Sequence, residues 1–134
     1  MKTFQIASAL IELGAGLALL SYPSVAVAFL VGALLEGPAA LAVARVCGAG
    51  LLSLGVACWL ARGDTQSRAA NGLVAAMLLY DVAVAAILAF AALGNGLYGV
   101  ALWPAVILHT AMSVWCVACL RHCSLKLSLL ESKS

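Results

Sequence analysis

The chain has 134 residues, of which 66% are hydrophobic and 9% charged, with a mean hydropathy of +1.15 and a net charge of +2. Soluble domains carry about 45–50% apolar and about 25% charged residues, so composition excludes a water-soluble fold, and the length leaves room for one membrane domain, residues 1–134. No basic face interleaved with aromatics exists to track phosphates, so nucleic acid is not an expected partner.

Crossing about 30 Å of hydrocarbon takes roughly 20 apolar residues at 1.5 Å each. Four stretches qualify, near residues 2–21, 39–61, 69–93 and 97–120. The first apolar run continues to Leu35, and as one helix it would be about 48 Å long, beyond the bilayer. Pro23 breaks it, because proline lacks an N–H and disfavours helix at the preceding Tyr22. A short helix over 24–35 is therefore expected, interfacial or kinked off the first span. Lys2 before an apolar run and "AVA" at 26–28 resemble a signal peptide, but Glu12 inside the apolar region argues that the segment is retained. A polar tail, 121–134, follows the fourth span.

Orientation follows the basic residues outside the spans. Lys2, Arg62, Arg68, Arg121, Lys126 and Lys133 all fall on one side of a four-span protein, whereas "LLEGPA" and "LGNGLYG" carry none. Both termini are expected to be cytoplasmic, in a bacterial inner membrane. Short loops make consecutive spans antiparallel neighbours. The expected fold is thus all-α, a transmembrane up-down four-helix bundle with one short extra helix. Gly48 with Gly55, and Gly14 with Ala18, supply small faces for close helix packing, within the chain or in a homodimer.

One ionisable residue lies inside each span: Glu12, Arg45, Asp81 and His109. Helix rise places Glu12 about 15 Å, Asp81 about 18 Å and His109 about 17 Å from the cytoplasmic ends, with Arg45 about 24 Å away. Each charge at mid-membrane costs about 2.5–3.5 kcal/mol unless partnered, so the four are expected to meet. Arg45 would pair with Glu12 or Asp81, and His109 with the remaining acid. Ser8 and Gly16 flank Glu12 at four-residue steps, and Tyr80 adjoins Asp81. Such a set either fixes helix partners without a ligand or lines a cavity for a polar head group or protons.

Five cysteines occur. His109, Met112, Cys116, Cys119 and Cys123 share one face of the last helix and are soft ligands suited to Cu(I) or Zn(II). Residues stacked along a helix rise away from one another, however, so at most two or three reach one ion, and apolar packing is the competing reading. His109 and His122 cannot clamp one haem iron. "WCVACLRHC" has no second cysteine pair in an outer loop to relay electrons. No cofactor is expected, and with no nucleophile or phosphate loop an enzyme is the less favoured class.

Two resemblances add to this. "ALIELG" around Glu12 resembles the small multidrug resistance transporters, which implies a first-helix Glu exchanging protons for cationic drugs. "LLSYPSVAVAFLVG", "ARVCGAGLLSLG", the Tyr80–Asp81 pair and "LWPAVILH" are together similar to small bacterial four-helix membrane proteins of uncharacterised role. More distantly, they resemble the ergosterol biosynthesis scaffold family, which tethers enzymes without catalysis. The second resemblance implies an accessory or binding role centred on Arg45, Asp81 and His109. The expected function is a membrane binding or accessory protein for a lipid-like or quinone-like molecule, or a small subunit of a membrane complex. The alternatives are a proton-coupled exporter and a purely structural network. Expected partners are membrane lipids, a hydrophobic small molecule, and a second copy or a larger complex.

Overall fold

Proline and glycine set the boundaries of the helices that apolar composition builds. The computed structural model describes residues 1–64 and 67–131, with side chains through residue 122. The described chain is all-helical: α1 (Lys2–Ser21), α2 (Pro23–Val31), α3 (Gly37–Ala61), α4 (Arg68–Leu93) and α5 (Leu102–Glu131). Four of them, α1, α3, α4 and α5 over Leu102–His122, are long and apolar enough to cross a membrane.

Pro23 occupies the first turn of α2, where its missing N–H costs nothing. Tyr22 leaves the helical region at φ −136° and ψ 61° and separates α1 from α2. α2 ends at Gly32, whose φ of 77° is open to glycine, so the short helix stops four residues before the expected Leu35. On the α3–α4 connection, Ser67 Oγ accepts from Ala70 N at 3.0 Å and caps α4. The Arg62 guanidinium lies 4.1 Å from the centre of the Trp59 ring.

The last helix departs most from expectation. It starts at Leu102, five residues later than composition suggests, because "LYGV" packs its backbone on α2. Ala101 N donates to Phe29 O at 3.1 Å, and Gly99 lies directly against the Leu30 carbonyl, leaving no room for a Cβ. The helix then runs to Glu131, through most of the expected polar tail.

α1 packs antiparallel along α3, and α4 along α5. At the α1–α3 crossing the backbones touch: a Cβ on Gly16 would fall 2.8 Å from Gly48 O, and one on Gly55 would fall 2.8 Å from Leu13 Cγ. Gly48 and Gly55 therefore serve packing within the chain. Gly14, expected to pair with Ala18 in a contact face, has nothing within 4 Å; Gly16 takes that role. α3 and α4, consecutive in the chain, barely touch. Leu10, Val46, Leu60, Leu79, Ile87, Phe90 and Ile107 are exposed and form the lipid-facing surface. The apolar core fills the half of the bundle nearest the N-terminus of α1: Phe4, Ala9, Cys58, Val74, Met77, Met112 and Cys116. An edge-to-face contact between Phe4 and Trp115, with centroids 5.7 Å apart, closes it on one side.

Candidate functional site

Above that core lies a polar layer contributed by three helices. α1 buries Glu12, α4 buries Asp81 and α5 buries His109. His109 Nδ1 donates to Asp81 Oδ1 at 2.7 Å, the short end of charge-assisted geometry. The contact joins α4 to α5 across the bundle interior. The Tyr80 ring stands edge-on to His109, with centroids 5.6 Å apart and planes at 82°. The Tyr80 side chain also lies near the Glu12 carboxyl. Cys116 Sγ lies 4.0 Å from Asp81 Oδ2. Tyr80, Asp81 and His109 thus form a connected polar unit, with Glu12 facing it from α1.

Arg45 does not join them. It is exposed on α3, while Ala44 and Gly48 turn inward. At about 100° per residue, Arg45 sits about 60° from Gly48, on the flank opposite Cys47, Leu51 and Leu54, which face α4. Depth along a helix sets the level of a residue but not its direction. The Gly48–Gly55 face that packs on α1 carried the missing information. The expected pairing of Arg45 with an acid is therefore corrected: His109 bonds to Asp81, and among the described residues no arginine or lysine pairs with Glu12.

Glu12 Oε2 is buried with no protein partner, and so are Ser8 Oγ and both polar atoms of the Gln5 side chain. Residues 5, 8 and 12 share one stripe of α1 at three- and four-residue steps. An unsatisfied buried polar group costs about 1–3 kcal/mol, so three on one stripe need an explanation in water, a proton or a ligand. Gln5 was not among the expected site residues, although its spacing from Ser8 and Glu12 marks it in the sequence.

Between the polar layer and α2 lies a cavity of about 350 Å³. Ile11, Ala18, Phe29, Leu30, Leu88 and Ala105 are among its apolar lining, and Tyr80 and His109 are its polar residues. With Nδ1 held by Asp81, Nε2 is the His109 nitrogen left for an occupant. A wider space of about 720 Å³ lies between α3 and α4, lined by Cys47, Leu51, Leu54, Tyr80 and Val84 among others. Leu51, Tyr80 and Val84 border both spaces, so the central cavity continues toward the lipid side.

The suspected metal face does not assemble. Met112 and Cys116 are buried in the apolar core, Cys119 packs at its edge, and Cys116 turns to Asp81. Among the described residues no three His, Cys, Asp or Glu side chains converge on one point; the Cys123 side chain lies outside them. Cys47, Cys58, Cys116 and Cys119 are free thiols.

No protein-family model matches the chain, and no curated protein or solved structure is significantly similar to it.

Proposed function

We propose that the chain is an integral membrane binding protein that holds a lipid-like or quinone-like molecule, alone or as a small subunit of a membrane complex. Its setting in this reading is a bacterial inner membrane, with both termini cytoplasmic, the orientation that the distribution of basic residues favours. One observation carries the reading: an apolar cavity of about 350 Å³ ends on two polar groups, the Tyr80 phenol and the His109 imidazole. Ligand sites have this construction, with apolar walls for area and a few convergent polar groups for orientation, at volumes of about 300–1,000 Å³. A carbonyl or hydroxyl head would hydrogen-bond to His109 and Tyr80, and its tail would leave between α3 and α4.

The test uses Cys47, which borders the α3–α4 space. Protein in lipid nanodiscs is labelled with a membrane-soluble maleimide, with and without a short-chain ubiquinone analogue or added phospholipid. Protection of Cys47 that is lost in Ala105→Phe, which fills the cavity, supports binding there. Equal labelling under all conditions refutes it. Native mass spectrometry of membrane extracts then identifies the resident molecule.

A second reading, a proton-coupled exporter, is favoured by the unpartnered Glu12 Oε2. It predicts proton release when a cationic drug is added to purified protein, abolished in Glu12→Gln.

A further inference from the structure

We infer that Gln5, Ser8 and Glu12 form a one-sided proton-access path, in which water bridges the N-terminal end of α1 to the Glu12 carboxyl. This goes beyond ligand binding and does not require the cavity to be filled, because it stands on atoms of α1 alone. Gln5, Ser8 and Glu12 are 0%, 1% and 2% exposed, and each carries a buried polar atom with no protein partner. Gln5 and Ser8 are buried on α1 beside the core residues Phe4 and Ala9, where a polar side chain without a role is a cost that Leu or Ala would remove.

The spacing suits water. Gln5 to Ser8 is a rise of about 4.5 Å and Ser8 to Glu12 about 6 Å, while one water making two hydrogen bonds spans about 5.5 Å. Each bridging water would find the two or more polar partners that buried water needs. Gln5 lies within the first turn of α1, next to exposed Lys2 and Thr3, so the shortest way from the stripe to bulk water is past that end. On the other side of Glu12 the stripe ends in Gly16, closed against Gly48, and the neighbouring α1 residues Ala15, Ala18 and Leu19 line the apolar cavity. The polar stripe of α1 therefore leads to its N-terminal end alone.

The groups facing Glu12 are Tyr80 and Asp81 from α4, His109 from α5 and Cys58 from α3; Arg45 is turned away. The step is simple. A hydronium at the N-terminal end of α1 gives up its proton to the chain, and each water accepts one proton as it passes another on. The water at Ser8 delivers the last to the Glu12 carboxylate, forming the O–H bond of a carboxylic acid and leaving every water neutral. Deprotonation reverses it.

The experiment is an acid jump on protein in nanodiscs, following the carbonyl stretch of protonated Glu12 by time-resolved infrared spectroscopy. The band is assigned by its loss in Glu12→Gln. The expected result is at least ten-fold slower appearance of the band in Gln5→Leu/Ser8→Ala, and an unchanged rate in Ser8→Thr, which keeps the hydroxyl. An equal rate in the double variant, or no Glu12 band in the wild type at any pH, overturns the proposal. Should the double variant fail to fold, water-edited solid-state NMR of the wild type decides: fast magnetisation transfer from water to Gln5 and Ser8 supports the path, and its absence overturns it. Neither measurement depends on Cys47 protection, so this path and the binding reading fail separately.

Discussion

Breaking the Asp81–His109 hydrogen bond tests the centre of the site. Asp81 is 1% and His109 9% exposed, and the bond is 2.7 Å long, so neither group can turn to water when its partner is removed. His109→Ala strands the Asp81 carboxyl, apart from its 4.0 Å approach to Cys116; Asp81→Ala strands Nδ1. Removing one partner of a buried hydrogen bond costs about 1–3 kcal/mol, and about 3–5 kcal/mol where the pair is ionised. Coupling between hydrogen-bonded pairs in membranes is smaller, about 0.6 kcal/mol on average and up to about 1.7. The short length and burial here place the expectation at the upper end, about 1–2 kcal/mol. Reversible unfolding by SDS in mixed micelles, read by circular dichroism for both single variants and the double variant, measures it. Each single variant should lose about 2–3 kcal/mol, and the double variant should lose about 1–2 kcal/mol less than the two losses combined. Additive losses, or single losses under about 0.5 kcal/mol, would refute the argument.

Gly16→Val should destabilise by about 1–3 kcal/mol in the same assay, since its Cβ would fall 2.8 Å from both Gly48 O and Leu52 N. Gly14→Val, with nothing within 4 Å, should stay within about 0.5 kcal/mol of wild type. Arg45→Leu should likewise leave the unfolding midpoint unchanged, because Arg45 is exposed and outside the polar layer. Gly99→Ala should loosen α2 from the α4–α5 connection, seen as faster hydrogen exchange at Gly32 and Ala101, because its Cβ would collide with the Leu30 carbonyl.

The spans were legible because 20 apolar residues have few other uses, and Pro23 marked the break in the first run. The level shared by Glu12, Asp81 and His109 followed from helix rise alone. What composition could not carry was direction and competition. Arg45 lies near the right depth on the wrong flank, and only the glycine face of α3 tells which flank is inside. The start of α5 was missed because "LYGVA" is apolar enough for helix, yet it spends its backbone on Phe29 and Leu30. Ala18 lines the cavity, a place set by the separation of the helices around it. That separation is a property of the assembled bundle and has no local signature.

The polar layer also has a history during synthesis. Glu12 enters the bilayer with the first helix, before Tyr80, Asp81 and His109 have been made, because every side chain that faces it on α4 and α5 lies far downstream in the chain. A carboxyl in the first span weakens that span's insertion by about 2.5–3.5 kcal/mol if charged, and the Gly16–Gly48 contact cannot form until α3 follows. The newborn protein therefore passes through a stage in which its first helix is held by hydropathy alone. Truncation after α3 should leave a product that membrane quality control removes, whereas the whole chain matures.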